Sequence, residues 1–163
     1  MLLNTTLDLA DITLANRTVM APLTRLRAGA DNAPTALNAE YYGQRAGFGL
    51  IVSEATPIMQ EGHGYPDTPG IYTQAQIDGW KLATDAVHAN NGRIFCQLWH
   101  CGRISHNAYQ PGEQAPPAPS AVAAQGKVMH PDTWEEMDHP TPKAMTQEEI
   151  NTTIKAYAQA INN

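Results

Sequence analysis

"FGLIVSEAT", residues 48–56, is a continuous apolar run with β-branched Ile51 and Val52, bounded by Gly47 and Pro57. A strand covered on one face alternates apolar with polar residues. One covered on both faces reads continuously, and such strands belong to parallel sheets. "RIFCQLWH" (93–100) gives the same signal and is expected to be another buried strand. Between the two, Thr73 and Gln76 have capping-box spacing and open a helix of about 17 residues. Its apolar positions Ile77, Trp80, Leu82, Ala83 and Val87 mostly share one face, and Asn90-Asn91-Gly92 ends it.

The same β-α-β alternation extends outward. "NRTVMAP" (16–22) reads as a strand stopped by Pro22, and Thr35 is placed to cap a helix running to about Arg45. Ahead of these, Leu7 with Leu9 and Ile12 with Leu14 form short alternating pieces broken at Ala10-Asp11, a β-hairpin within residues 1–16. Residues 101–145 form a long connection holding seven of the twelve prolines, and loops of that length are usually functional or disordered. Thr146 and Glu149 make a second capping box, followed by an apolar stripe of Ile150, Ile154, Tyr157, Ala158 and Ile161.

This order predicts an α/β fold with a parallel sheet, either barrel or doubly wound. Neither G-x-G-x-x-G nor G-x-x-x-x-G-K-[ST] occurs, which removes the usual nucleotide-loop argument for the doubly wound alternative. If a barrel, it is an incomplete TIM (β/α)8 barrel: residues 1–163 hold an N-terminal hairpin and about three βα units, far short of eight, and read as the first part of something larger. Its two open sheet edges would need the rest of a barrel, or self-association, to cover them.

Composition narrows the partners. A net charge of −6 and scattered basic residues leave no electrostatic footprint for nucleic acid. No apolar run reaches the length of a membrane span, and the N-terminus lacks the pattern of a signal peptide. Two cysteines five positions apart make no disulfide framework, so a reducing cytoplasm is the expected setting. Charged residues are only 16%, against roughly 25% in ordinary soluble domains, so much of the surface is expected to be covered.

"FCQLWHCGRISH" (95–106) first looks like a metal or thiol site. On a strand, however, Cys96 and His100 stand about 13 Å apart, and no second ligand pair answers the cysteines. No metal is expected, and Cys96 reads as a small core residue. Cys101 sits beside His100 and near Arg103, neighbours that an activated thiol requires, but the leading reading is an inert structural cysteine. The stronger signal is positional. Thr24, Ser53 to Thr56 and Gln97 to His100 all follow or end parallel strands, and those ends gather on one ligand-binding face. Turn residues and a satisfied buried amide would explain the same pattern. Gln97 weighs toward a ligand, because an unpaired buried carboxamide costs about 1–3 kcal/mol.

"APLTRLRA" (21–28), "YYGQRAGFGLIVSEAT" (41–56), "GHGYPDTPGIYTQAQIDGW" (62–80), "GRIFCQLWHCGRISH" (92–106) and "APPAPSAV" (115–122) together resemble the old yellow enzyme family. The resemblance runs in order along essentially the whole chain. It implies a TIM-barrel flavoprotein in which NADPH reduces bound FMN. The flavin then passes hydride to an alkene conjugated to a carbonyl or nitro group. By the same resemblance Pro22, Leu23 and Thr24 run along the flavin ring, with the Thr24 hydroxyl near O4 and N5. Ala55 meets the ring through its backbone, Gln97 pairs with the pyrimidine edge, and Tyr65 with Trp99 lines the substrate side. The histidine pair that grips substrate and the tyrosine proton donor are expected beyond Asn163. No catalytic residue of the family is then assigned within this chain, and its FMN site is incomplete. The alternative expectation is a catalytically inactive half-barrel that pairs with itself or with a partner.

Overall fold

A computed structural model describes residues 2–163. The hairpin forms as expected, β1 (Leu7–Leu9) pairing antiparallel with β2 (Ile12–Leu14). The central element is a three-stranded parallel sheet in the order β3-β4-β5, made of β3 (Val19–Met20), β4 (Leu50–Pro57) and β5 (Ile94–Trp99). β4 is in the middle, and of its eight residues only Val52 is not fully buried. Its continuous apolar reading thus has its cause: strands on two sides and helices over it.

β5 departs from expectation. It is half-buried to exposed rather than buried, with Phe95 half-exposed and Cys96 exposed. Among the described residues it pairs only with β4, so one edge and much of one face have no neighbour. The apolar composition of β5 therefore exceeds the cover that the described residues give it.

Helix α1 (Ala36–Gly43) is capped by Thr35, whose side chain and that of Asn38 satisfy one another's backbone amides. Helix α2 (Gln74–His88) starts in the expected box of Thr73 and Gln76. Gln76, Gly79, Trp80, Ala83 and Val87 form its buried face, following the i, i+3, i+4, i+7 rule. Leu82 is exposed instead, since it lies two residues, or about 200° of helix rotation, from Trp80. α2 packs closely on the chain entering α1: a Cβ on Gly79 would come within 2.3 Å of the Pro34 carbonyl. Asn91, with φ of 59°, takes the left-handed turn after α2, and Gly92 then donates to the Val87 carbonyl. Removing the cap by Thr73→Ala is expected to lower stability by about 1 kcal/mol, read as a shift of the urea midpoint.

The core gathers Met20, Ile51, Ile58 and Ile71 from the sheet and its loops with Tyr42, Trp80, Ala83 and Val87 from the helices. Helix α3 (Gln147–Asn162) joins it, capped by Thr146 with Glu149 as expected. Its buried side differs from the expected stripe. Ala160 is buried and Ala156 and Tyr157 pack on the core, while Ile150, Ile154 and Ile161 are exposed. Periodicity groups residues onto one helix face but does not say which face meets the sheet, and here the small alanines permit the closer approach.

Residues 101–145 are not structureless. Three 3-10 turns, Gly102–Ile104, Asn107–Tyr109 and Pro111–Glu113, precede β6 (Pro117–Ala118). A second hairpin follows, β7 (Lys127–Met129) against β8 (Glu136–Asp138), with Lys127 ion-paired to Asp138. β9 (Lys143–Ala144) then runs parallel to β6.

Candidate functional site

The C-terminal ends of β3, β4 and β5 lie together because the three strands are parallel. The register of β4 against β5 runs Ile51 with Ile94 and Val52 with Phe95, then resumes at Ala55 with Gln97. Ser53 and Glu54 therefore stand opposite the single residue Cys96, which is a β-bulge. Bulges turn the chain and re-aim side chains, often beside sites.

"SEAT" builds the bulge from its own polar atoms. The Ser53 and Thr56 hydroxyls both donate to the Glu54 carbonyl, at 2.8 and 2.9 Å. The Ser53 oxygen also accepts the Gln97 amide hydrogen at 3.0 Å, taking the place of a ladder bond. Both hydroxyls are fully buried. Expected among the ligand-facing residues, Ser53 and Thr56 instead satisfy the backbone of the bend.

Ala55, buried at the bend, lies directly beside Gln97. Gln97 is half-buried, and its carboxamide finds no hydrogen-bond partner among the described residues. The Thr24 hydroxyl is likewise exposed and unpartnered there, and Leu23 beside it is exposed. A donor–acceptor amide, a free hydroxyl and exposed backbone next to a buried alanine suit a flat ligand with alternating donors and acceptors on its edge. Gln97, with a donor and an acceptor in one carboxamide, fits the pyrimidine edge of an isoalloxazine ring.

Tyr65 and Trp99 come together although 34 residues of sequence separate them. Their ring centroids are 5.4 Å apart at 32°, and the Trp99 indole N–H is buried without a partner. Tyr65 comes from the loop after β4 and Trp99 from the last position of β5, so the aromatic pair stands at the same end of the sheet as Ala55 and Gln97.

Cys101 does not meet the requirements of an activated thiol. It is buried, and burial pushes its thiol up to about 12, so it stays protonated at neutral pH. Cys96, expected in the core, is exposed on the open strand. Among the described residues no three His, Cys, Asp or Glu side chains converge as metal ligands would. A cavity of about 250 Å³ lies elsewhere, between Met59, His100 and the start of α3. Its position beside that helix separates it from Thr24, Ala55 and Gln97. The strand-end face is open rather than enclosed because β5 has no outer neighbour among the described residues.

One residue at this face escaped the reading of the sequence. Glu54 is only 1% exposed, and its carboxylate accepts from the Arg25 backbone amide at 3.0 Å and from the Tyr42 hydroxyl at 3.2 Å. The signal was present as a lone charged residue inside the run that reads as a doubly covered strand.

The family model described as NADH:flavin oxidoreductase / NADH oxidase matches residues 3–163. Flavin oxidoreductase HxnT of Emericella nidulans is 42% identical over 161 residues, covering 96% of this chain and 40% of its own length. 12-oxophytodienoate reductase 7 of Oryza sativa subsp. japonica is 42% identical over 153 residues, covering 92% and 38%. Morphinone reductase in complex with tetrahydroNAD superposes with a TM-score of 0.90 at 48% identity, over 97% of this chain and 44% of that one. The chain thus spans about two fifths of the length of the curated relatives it matches.

Proposed function

The chain belongs to the NADH:flavin oxidoreductase / NADH oxidase family, the old yellow enzymes, and on that premise we propose that it carries part of the FMN site of an NAD(P)H-dependent ene-reductase. The substrates are small molecules with a C=C bond activated by a conjugated carbonyl or nitro group. The three parallel strands are then consecutive members of a TIM (β/α)8 barrel, and their C-terminal ends form its ligand face. The observation that carries this reading is the unpartnered Gln97 carboxamide beside the bulged Ala55, at the sheet end that also holds the Tyr65–Trp99 pair.

When bound, FMN supplies the hydride chemistry, accepting from a nicotinamide nucleotide and donating to the alkene. The residues of this chain orient that chemistry. Gln97 offers an N–H and a carbonyl in one plane and would hold the ring edge through both. The Thr24 hydroxyl would donate a hydrogen bond toward the edge where negative charge accumulates on reduction, which would favour the reduced form. Tyr65 and Trp99 wall one side of the substrate space and exclude water from it. NADPH is the proposed reductant. A reducing, cytoplasmic setting agrees with two free cysteines, and no described helix is long and apolar enough to cross a membrane.

Complementation tests the reading. Co-expression with the C-terminal three fifths of morphinone reductase should give a yellow complex that oxidises NADPH when 2-cyclohexenone is added. A well-formed but colourless and inactive complex would refute it. In that complex Gln97→Ala is expected to raise the Kd for FMN roughly tenfold, the value of about 1–1.5 kcal/mol for a lost hydrogen-bonding group. Fluorescence titration of apo-complex with FMN measures it.

A second reading, a non-catalytic self-associating chain, draws on the exposure of Val19 and Phe95 on the two outer strands of the sheet. Size-exclusion chromatography separates the two: concentration-dependent dimers without flavin uptake favour self-association.

A further inference from the structure

Resting on the flavin reading above, we propose that Glu54 is a positioning residue that holds the segment bearing Thr24 in register with Ala55 and Gln97. Residues 21–29 have no regular secondary structure, and Pro22, Leu23 and Thr24 are exposed. Such a stretch needs anchors if a hydroxyl at its centre is to occupy one place. Within this segment the Arg25 amide is bound by Glu54, and the Ala28 amide donates to the Asp67 carbonyl at 3.0 Å. The first of these anchors is the amide directly after Thr24. Between the two anchors Leu26 adopts a φ of 56°, a left-handed conformation that a leucine keeps only where its surroundings impose it.

Glu54 is itself fixed from several sides. Its own amide donates to the Tyr42 hydroxyl at 2.8 Å, and that hydroxyl returns its proton to Oε1 of the carboxylate. Tyr42 is fully buried against Trp80, so the support comes from the α1–α2 packing. The Asn38 side chain and the Arg25 guanidinium lie near enough to favour its charge. The carboxylate therefore meets only donors, and both of its oxygens are used. It connects Arg25, one residue past Thr24, with the bulge one residue before Ala55, whose cross-strand partner is Gln97. Thr24, through its neighbour Arg25, is thus tied by one side chain to the bulge that carries Ala55 beside Gln97. A buried glutamate in a sheet interior has a high desolvation cost, which these hydrogen bonds offset only in part: burial still raises its carboxyl above the usual range.

Glu54→Gln tests the idea at nearly constant shape. An amide has one oxygen where the carboxylate has two, so it must turn its NH2 toward a group that now donates. The first measurement needs no flavin. Hydrogen exchange should find the Arg25 amide protected in the wild-type chain, and exchanging on the order of tenfold faster in E54Q, with the α2 amides unchanged. The second uses the FMN complex with the morphinone reductase C-terminal part. E54Q should move the flavin midpoint potential to lower values, and that shift should vanish in a Thr24→Ala background, because the glutamate acts through that hydroxyl.

An unprotected Arg25 amide in the wild-type chain overturns the proposal without any variant. So does an E54Q shift of equal size whether or not Thr24 is present. A wild-type complex that takes up no FMN removes the flavin reading and this inference with it. FMN bound equally, at one potential, by wild type and E54Q removes the inference alone.

Discussion

Trp80→Ala should cost about 3–5 kcal/mol, enough to bring a domain of ordinary stability close to unfolding at room temperature. Trp80 is 5% exposed and its ring lies 5.9 Å from that of Tyr42. Its indole N–H donates to the Gly70 carbonyl at 3.1 Å in a buried setting. Alanine removes the largest side chain on the α2 face and leaves Gly70 without its donor. It also leaves a cavity beside a face of α2 that is already in close contact with Pro34 at Gly79, so the gap cannot close by simple approach. Trp80→Phe separates the contributions: it keeps most of the volume and loses the hydrogen bond, so the expected loss falls to about 1–2 kcal/mol. Urea melts followed by far-UV circular dichroism measure both. A Trp80→Ala midpoint within error of the wild type would mean that α2 is not held by this contact.

The parts of this fold written locally in the sequence were the readable ones. Thr73 with Gln76 and Thr146 with Glu149 mark helix starts because the box needs only four consecutive residues. β4 was readable because burial on both faces leaves an unbroken apolar record. What depended on distant partners was not readable. β5 carries the composition of a buried strand, yet its exposure is set by whether another strand adjoins it, which its own residues do not state. The α3 stripe of isoleucines is real as a pattern, but the sheet met the alanine side. Prolines obscured the hairpin of β7 and β8, although Val128 and Met137 pair across it.

The candidate site shows the same division. Motif resemblance marked Thr24, Ala55, Gln97, Tyr65 and Trp99, and the fold brings Ala55 beside Gln97 and Tyr65 beside Trp99. Position at strand ends also marked Ser53 and Thr56, and there it misled, because their hydroxyls close the bulge. No local rule distinguishes a hydroxyl that serves a ligand from one that serves its own backbone. Glu54 was missed for a related reason: its role depends on Arg25, 29 residues away, and on Tyr42, in a different helix.

Acidification from pH 7 to 4 should remove about 3 kcal/mol of stability through His63 alone. Its ring is 2% exposed, and burial, assisted by nearby His100, lowers its pKa from 6.5 to about 4. Above pH 6.5 the imidazole is neutral folded or unfolded and contributes no pH dependence. Between 6.5 and about 4 the unfolded chain takes up a proton that the folded chain refuses, so stability falls as pH falls. Below about 4 both forms are protonated and the dependence ends.

Hydrogen bonding defines the neutral form. The Tyr72 hydroxyl gives its proton to Gln60 Oε1 at 2.8 Å, so its oxygen is left to accept from His63 Nε2–H at 3.0 Å. Nδ1 lies 3.2 Å from the Thr68 oxygen, whose one proton has both Nδ1 and the Tyr65 carbonyl in reach. A second proton on Nδ1 would not be excluded by geometry, since Thr68 can turn its hydroxyl to the Tyr65 carbonyl. Desolvation is the obstacle. His100, also lowered by burial, adds to the fall, while Glu54, raised by burial, opposes it as its carboxyl takes up a proton. His63→Gln isolates the effect. The variant should be less stable at pH 7.5, having lost part of the network, yet its urea midpoint should decline far less between pH 6.5 and 4.5. Because the His63 carbonyl also accepts from Ser105, which in turn accepts from Gln110, the same titration loosens the loops after β4 and β5 together. Quenching of tryptophan fluorescence by acrylamide, read in a Trp80→Phe, Trp134→Phe background so that Trp99 alone reports, should therefore rise with the acid transition and stay level when His63→Gln is added. Parallel pH profiles for the two proteins would assign the transition to other groups.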